Sequence, residues 1–226
     1  MTLARRKRSA RGSGEGLRAE IMDATKELLA RTGHVDAVSI REIAKIVGVT
    51  PPSIYRHFAD KDQLIEAVVA QVFEDLDEVM SAATDPNESP MERLRQQGQA
   101  YVRFAREHPE QYRLATMRGE TAGAVDQVLT SGAFAHFAAT ITECMNIGVI
   151  TPGDPVPVVL ELWSSAHGIA SLLIAKPYLP WGDLDAVADR VLRSVCIGRA
   201  VIDNILGEGV TPDGVVQWLA EYRGRP

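Results

Sequence analysis

Apolar residues recur three and four positions apart along most of the chain, which is the spacing of one face of an α-helix. The first stripe runs from about Glu15 to Thr32 and ends at Gly33, a residue typical of the left-handed turn that closes a helix. The β-branched run at 156–160 continues into helical spacing without a break. Because no convincing strand pattern appears, we predict an all-α protein with about nine or ten helices.

The next two helical patterns are short, and a tight turn at Gly48 joins them. Ser39 and Glu42 have the spacing of a capping box at the start of the first pattern. Thr50 is expected to cap the second pattern, with Pro51 in its first turn, where a missing N–H costs little. Two capped helices around a glycine turn are typical of a helix-turn-helix, which makes DNA the expected partner.

Helical spacing continues through the rest of the chain, interrupted by loops rich in proline and glycine. The second helix of the motif is predicted to end near residue 58. Further helices are predicted at about 60–81, 90–107, 110–117, 122–146, 158–176, 183–206 and 212–222. The proline-rich stretch 151–157 is predicted as a loop.

A recognition helix reads base edges in the major groove with short or flat polar groups on its outer face. Arg56 is long enough to contact guanine, and Lys61 lies in the first turn of the following helix, where a phosphate is favoured. Tyr55 and His57 could instead belong to a small core, and the pattern leaves that alternative open. The candidate DNA contacts are Arg41, Thr50, Ser53, Tyr55, Arg56, His57 and Lys61.

The net charge of −6 conceals an asymmetry between the two ends of the chain. Residues 1–61 carry 12 basic and 7 acidic side chains, whereas residues 62–226 carry 12 basic and 23 acidic ones. Five of the basic residues lie between 5 and 11, ahead of a Gly-Ser-Gly spacer. We expect residues 1–14 to be a flexible arm that follows the DNA backbone or enters the minor groove, although a merely solvated tail would look the same.

The segment SIREIAKIVGVTPPSIYRHFADKDQL resembles the N-terminal domain of the tetracycline-repressor family of transcriptional regulators. The resemblance covers about residues 18–65 and implies a homodimer that binds a palindromic operator. It also implies a ligand cavity in the C-terminal domain and loss of DNA binding when that cavity fills. The family's usual DNA contacts fall on Arg41, Thr50, Ser53, Tyr55, His57 and Lys61. Many members have Lys-Gly where this chain has Pro51-Pro52, so a phosphate contact from that lysine is missing here.

A second resemblance covers only one helix. The residues from Trp163 to Gly168 are similar to the Trp-x-x-x-His-Gly segment of one branch of the same family. Trp163 and His167 are four residues apart and therefore share a helix face. Gly168 inside a helix suggests that another backbone lies close.

An apolar cavity with a few polar groups is expected in the second half of the chain and suits a small lipophilic or amphipathic effector. Each of its candidate residues could equally be a packed core residue. His167 could contact the effector, bind a metal or be a hydrogen-bonded buried imidazole, and the last is favoured because no second metal ligand has suitable spacing. The candidate ligand contacts are Tyr101, Phe104, Tyr112, Met117, Phe134, Phe137, Trp163 and His167.

The two apolar helices at 158–176 and 183–206 are candidates for a four-helix interface between two subunits, as the resemblance also implies. Periodicity alone fits a monomer core equally well. We therefore divide the chain into the arm at 1–14, a helix-turn-helix domain at 15–61, and a helical effector-binding and dimerisation domain at 62–226.

Several other classes of protein are disfavoured by what the sequence contains. We find no P-loop, dinucleotide fingerprint, Gly-x-Ser-x-Gly or His-Glu-x-x-His, so we expect no enzyme, cofactor or metal site. No run of 18 apolar residues and no signal peptide appear, so we expect no membrane contact and a cytoplasmic location. The remaining alternative is a DNA-binding architectural protein that senses no ligand.

Overall fold

The computed structural model describes residues 13–33, 35–116, 132–207 and 209–224. Every regular element in these ranges is helical, so the all-α prediction is confirmed. Contacts between Cα atoms group the chain into two compact units, and the boundaries between them fall at residues 75/76, 106/107 and 131/132. The first unit therefore holds the amino-terminal helices together with one later helix, and the second holds the remainder.

The first unit is built around a helix-turn-helix. Its helices are α1 (Ser13–Thr32), α2 (Ile40–Val47), α3 (Pro51–Ile54), the first part of α4 (Lys61–Ala82) and α6 (Pro109–Thr116). Helix α1 packs against α2 and α6, and α2 packs against α3. Ile21, Ile43 and Ile54 are completely buried, which places the apolar stripes of three helices in one small core.

The second unit surrounds a strongly apolar helix. Its helices are the rest of α4, α5 (Pro90–Glu107), α7 (Gly132–Asn146), α8 (Pro155–Ala175), α9 (Leu184–Val201) and α10 (Pro212–Arg223). Helix α8 packs against both α7 and α9. Helix α9 continues into a single π-helical turn at Ile202–Leu206. None of the residues of α10 is buried.

Side chains cap the starts of several helices. The Asp60 carboxylate accepts a hydrogen bond from the backbone N–H of Gln63 at 2.8 Å, and the Ser89 hydroxyl accepts one from Glu92 at 3.2 Å, as their spacing predicts. Ser39 does precede α2, but its side chain makes no capping hydrogen bond. The capping box predicted for Ser39 is therefore wrong in its chemistry, although the helix begins where it was expected.

Two predicted boundaries need correction. Helix α3 ends at Ile54 and not near residue 58, since the chain turns at residues 55–57. Helix α8 begins at Pro155, inside the predicted loop, because Asp154 caps the helix and a proline in its first turn lacks only an N–H that has no partner there. Residues 122–131 of the predicted long helix lie outside the described residues.

Helix α8 is long and apolar enough to cross a membrane by length and composition alone, with a mean hydropathy of 1.5. The sequence holds no uninterrupted run of 18 apolar residues and therefore did not indicate a helix of this kind. The core helix of a soluble protein passes the same test, and the residues of α8 that face α7 and α9 are buried. Length and hydropathy are therefore weak evidence for a membrane segment in this chain.

Candidate DNA-reading surface and ligand cavity

Helix α3 is short and exposes one polar side. Thr50 begins it in an extended conformation, and Pro51 and Pro52 occupy its first two positions. Gly48, with φ of 73°, makes the turn from α2 and donates its backbone N–H to the carbonyl of Ala44. A left-handed conformation is strained for residues with a side chain, so glycine suits this turn.

The polar side chains of α3 are linked by hydrogen bonds. The hydroxyls of Thr50 and Ser53 lie 3.1 Å apart, and a guanidinium nitrogen of Arg56 donates to the Ser53 hydroxyl at 3.2 Å. This Thr50–Ser53–Arg56 chain is exposed to solvent. It holds the guanidinium in one place, and a guanidinium presents paired donors that match the two acceptors on the edge of guanine. The spacing of Thr50, Ser53 and Arg56 in the sequence did not by itself predict these hydrogen bonds.

The tyrosine of the motif projects outward. Tyr55 is 52% exposed, so the core alternative for this residue is wrong. Its neighbour Phe58 is 2% exposed and fills the core position instead. His57 is half-buried, which leaves both of its readings open. The Tyr55 ring therefore lies on the surface and the Phe58 ring in the core, and the role of Tyr55 in DNA binding stays a prediction.

The other predicted DNA contacts flank α3 along the chain. Arg41 lies in the first turn of α2 with an exposed side chain. Lys61 is the first residue of α4, where its charge adds to the partial positive charge of the helix start. Both positions suit contacts with phosphates, and their roles in DNA binding stay predictions. The basic arm predicted at residues 1–14 lies almost wholly outside the described residues.

The second unit contains an apolar cavity whose wall is rich in aromatic side chains. Its lining residues are Leu76, Met80, Gly98, Tyr101, Phe134, Phe137, Trp163 and Ala166. The open space within it is about 30 Å³, roughly the volume of one water molecule. A drug-sized ligand needs ~300 Å³ or more, so binding has to separate the side chains that now touch.

Four of the predicted ligand contacts meet in this wall, and a fifth stands directly behind it. The Trp163 ring lies edge-on to Phe134, with 5.3 Å between their centres. It also packs against the His167 ring, 5.4 Å away. Tyr101 and Phe137 complete the group.

The other predicted ligand contacts are elsewhere. Phe104 is buried in the second unit but does not line the cavity. Tyr112 belongs to α6 in the first unit, where it is 1% exposed, and it is not among the described residues that line this cavity. Met117 lies outside the described residues. Periodicity missed Leu76 and Met80, which lie on the apolar stripe of α4 but give no sign of facing a cavity.

A chain of hydrogen bonds runs along the cavity. The indole N–H of Trp163 donates to the Tyr101 hydroxyl at 3.0 Å. That hydroxyl lies 3.3 Å from Nδ1 of His167, whose Nε2 lies 3.3 Å from the Ser171 hydroxyl. Burial lowers the pKa of His167 below its usual range, which favours the neutral ring. The structure therefore supports the hydrogen-bonded imidazole among the three alternatives.

A hydrogen-bonded histidine–aspartate pair lies on the same unit and was not predicted. Nδ1 of His136 on α7 lies 2.7 Å from a carboxylate oxygen of Asp77 on α4. Gly132 stands beside this pair, and a Cβ on it would lie only 2.7 Å from Asp77. The glycine therefore leaves space for the carboxylate.

Gly168 does not have the role that its position in the helix suggested. A Cβ added to it would meet no atom within 4 Å among the described residues. The close approach of another backbone predicted at this glycine is therefore wrong within the described part of the chain.

Neither cysteine offers a reactive group. Burial raises the pKa of the Cys144 and Cys196 thiols to about 11, so both are protonated at neutral pH. Among the described residues no cluster of three or more His, Cys, Asp or Glu could hold a metal ion.

Comparison with known proteins places both regions in one family. The family model described as "Bacterial regulatory proteins, tetR family" matches residues 21–68. The one described as "Tetracyclin repressor-like, C-terminal domain" matches residues 94–195. The two matches together cover more than half of the chain.

Individual relatives are more distant. The HTH-type transcriptional regulator BetI of Brucella anthropi is 32% identical over 77 residues, which are 34% of this chain and 39% of BetI. The nucleoid occlusion factor SlmA of Vibrio cholerae is 28% identical over 92 residues, which are 41% of this chain and 47% of SlmA. The chain thus spans less than half the length of these curated relatives. A solved structure of a Rhodococcus sp. RHA1 protein of unknown function has a TM-score of 0.72 at 28% identity, covering 86% of this chain and all of that one.

Proposed function

Because the chain belongs to the tetracycline-repressor family of transcriptional regulators, we propose that it is a homodimeric repressor that leaves its operator when a small lipophilic molecule binds the second unit. Membership makes it a DNA-binding regulator from a family that is not enzymatic. Regulators of this family are in general soluble cytoplasmic proteins, and we assign this chain to the cytoplasm.

The observation that carries the proposal is the presence of two different kinds of site on one chain. Helix α3 offers a polar, exposed side whose residue types suit base edges and phosphates. The cavity of the second unit is enclosed, aromatic and apolar, and a protein that only reads DNA has no use for it. A regulator that responds to a ligand needs both.

A dimer is supported by apolar side chains left uncovered on helices α8 and α9 of the second unit. Leu160 and Leu172 on α8 are 40% and 48% exposed, and Ile197 on α9 is 50% exposed. An open groove of about 810 Å³ along α9 adds to this uncovered surface. A second copy of the chain would bury this apolar surface. The helix-turn-helix regions of the two copies could then contact DNA half-sites ~34–36 Å apart.

The proposed coupling runs through α4. This helix begins with Lys61 beside the helix-turn-helix, and its Leu76 and Met80 line the cavity. A ligand that separates the side chains of the cavity wall would displace α4 and change the distance between the helix-turn-helix regions of the two subunits. Because DNA tolerates little mismatch in that spacing, ligand and operator would then oppose each other's binding.

The first experiment identifies the operator. Purified full-length protein is mixed with fragmented genomic DNA at low salt, and bound fragments are sequenced. We expect a few fragments that share a two-fold symmetric motif. No bound fragment, or uniform coating of all fragments, would refute the assignment of a sequence-specific regulator.

The second experiment tests dimerisation. Ile197→Glu places a charge on the uncovered side of α9 and should give a folded monomer with operator affinity reduced at least tenfold, while Glu221→Gln on the exposed helix α10 should remain dimeric. Sedimentation gives the mass and circular dichroism gives the helix content. A dimeric Ile197→Glu variant would exclude this surface as the interface.

The architectural alternative is favoured by one comparison, because SlmA is described as a nucleoid occlusion factor. Its test follows from the operator. A sensor releases DNA when its ligand is added, whereas an architectural protein stays bound with every compound tried. A library of small aromatic and aliphatic compounds, screened for release of the labelled operator, separates the two.

A further inference from the structure

The cavity wall is far more aromatic than the chain as a whole. Tyr101, Phe134, Phe137 and Trp163 make up half of the residues that line it, whereas aromatic residues are only 6% of the sequence. The Phe134 and Trp163 rings meet at an interplanar angle of 72°. Aromatic rings attract further rings in edge-to-face or offset geometry, so these walls favour an aromatic guest over a saturated one.

The polar atoms of the wall already have partners. The Trp163 N–H is taken by the Tyr101 hydroxyl, and that hydroxyl also faces Nδ1 of His167. The far nitrogen of His167 faces Ser171. A ligand with a hydrogen-bonding head group would have to break one of these bonds and leave a buried group without its partner, which costs more than it gains.

Among the described residues that line the cavity, none carries a charge. His167 lies behind the wall, and burial lowers its pKa, so it is neutral at neutral pH. A carboxylate or an ammonium group would lose its hydration without gaining a counter-charge. The cavity therefore disfavours ions of either sign.

The cavity is also nearly filled by its own side chains. With about 30 Å³ of open space, it admits a ligand only when its side chains separate. A flat molecule is thinner than a saturated ring of the same carbon skeleton, so it separates the facing rings by the smallest distance. Shape and polarity therefore favour the same class of ligand.

We propose that the ligand of this cavity is an uncharged, planar aromatic molecule without a hydrogen-bonding head group. This inference rests on the proposed function, because it names the ligand class of the same cavity. Binding is driven by the burial of rings against rings, and specificity comes from the cost of bringing in charge.

The test uses probes that share one ring system. Binding of 1-methylnaphthalene, 1-naphthoate and 1-naphthylmethylammonium to the full-length protein is measured by calorimetry at pH 7.5. We expect the neutral probe to bind at least tenfold more tightly than either ion. Equal or tighter binding of an ion, or no binding of any probe, would overturn the proposal. Toluene should likewise bind more tightly than methylcyclohexane, whose ring is puckered, and the reverse order would contradict the planar shape.

Two variants locate the binding site. Ala166→Leu adds bulk to the wall and should abolish binding of 1-methylnaphthalene, with Phe137→Trp as the substitute if Ala166→Leu does not fold. Met80→Lys places an ammonium group at the wall on a flexible stem and should improve 1-naphthoate binding at least tenfold. Unchanged affinities in folded variants would show that the probes bind elsewhere and would overturn the proposal.

Failure of the ligand class and failure of the proposed function give different results. If 1-methylnaphthalene binds the cavity but leaves the operator complex intact, the ligand class stands and the release of DNA by ligand is wrong. If only a charged compound binds the cavity and releases the operator, the proposed function stands and the ligand class is wrong.

Discussion

At the scale of single residues, the hydrogen-bonded chain from Thr50 to Arg56 prepares α3 for recognition. The Ser53 hydroxyl accepts a hydrogen bond from the guanidinium of Arg56 and keeps its own O–H as a donor, so its predicted role as a DNA contact stays a prediction. Thr50 supports Ser53 in turn. A guanidinium fixed before binding loses less rotamer freedom on meeting a base, which favours tight and specific contact.

Tyr55 offers the most direct residue-scale test of the DNA-reading surface. Tyr55→Ala should weaken operator binding by ~1–3 kcal/mol, about tenfold or more, because it removes an exposed ring at the centre of the polar side of α3. Fluorescence anisotropy with labelled operator measures the change. Tyr222→Ala is the matched control, since Tyr222 is a similarly exposed tyrosine on α10, and its affinity should match the unmodified protein. Equal losses in both variants would disprove the assignment.

His167 offers a test of the buried hydrogen bonds. Because burial lowers its pKa in the folded protein, the unfolded chain takes up a proton below pH ~6.5 that the folded chain resists. Stability should therefore fall as pH drops through this range. The melting temperature of His167→Gln, whose side chain cannot titrate, should fall less between pH 7.5 and 5.5 than that of the unmodified protein. Parallel melting curves for the two proteins would show that His167 is not the cause.

The sequence predicted the chemical types of the candidate residues better than it predicted which residues meet in space. The exposed polar residues of α3 follow from a local pattern of a few positions, so Thr50, Tyr55 and Arg56 were found from sequence. The cavity wall brings together residues from four helices, and their meeting depends on how those helices pack. Periodicity shows that Met80 is apolar and inward-facing, but it cannot show that the space beside it is open.

At the scale of elements, the second unit depends on the close approach of α5 and α9. A Cβ on Gly98 of α5 would lie 3.1 Å from a methyl carbon of Leu192 on α9. Leu192 is buried and cannot move freely into solvent. Gly98 therefore sets the separation of two helices that support the cavity wall, in which it also takes part.

Replacing Gly98 by alanine should be less favourable than the same change in an open helix. Gly16→Ala in α1 meets nothing within 4 Å and should raise stability by ~0.5–1 kcal/mol through helix propensity. In Gly98→Ala, crowding should cancel the gain in helix propensity. Its free energy of unfolding should therefore be at least about 1 kcal/mol lower than that of Gly16→Ala. Thermal melting of both variants measures the difference. Equal gains in stability would mean that α5 and α9 accommodate the added methyl group without crowding.

Helix ends were predictable where a side chain caps them and less so where packing decides. Asp60 and Ser89 mark the starts of α4 and α5 because their oxygens satisfy local N–H groups. The early end of α3 has no such local signal. Its last residues turn so that Phe58 can reach the core, and that gain comes from contacts distant in sequence.

At the scale of the whole molecule, the positive charge of the amino end lies almost entirely in its first residues. Residues 13–61 carry seven basic and seven acidic side chains, so the five basic residues before them account for the net +5. The helix-turn-helix region itself is close to neutral. Long-range attraction to DNA therefore has to come mainly from the arm.

Removing residues 1–12 should reduce the salt dependence of DNA binding. Each phosphate contact contributes about 0.9 to the slope of log affinity against log salt, so losing five cations lowers the slope by up to about 4 per subunit. Titrations of operator at several salt concentrations give the slopes. An unchanged slope in the truncated protein would show that the arm makes no contact with phosphate.

The two prolines that open α3 have a further consequence. Each fixes its own φ near the helical value, so the four-residue helix α3 is largely set in the uncomplexed chain. DNA then meets a surface that needs no coil-to-helix transition, and the heat capacity change of complex formation should match the apolar area removed from water, with no added contribution from ordering of this segment.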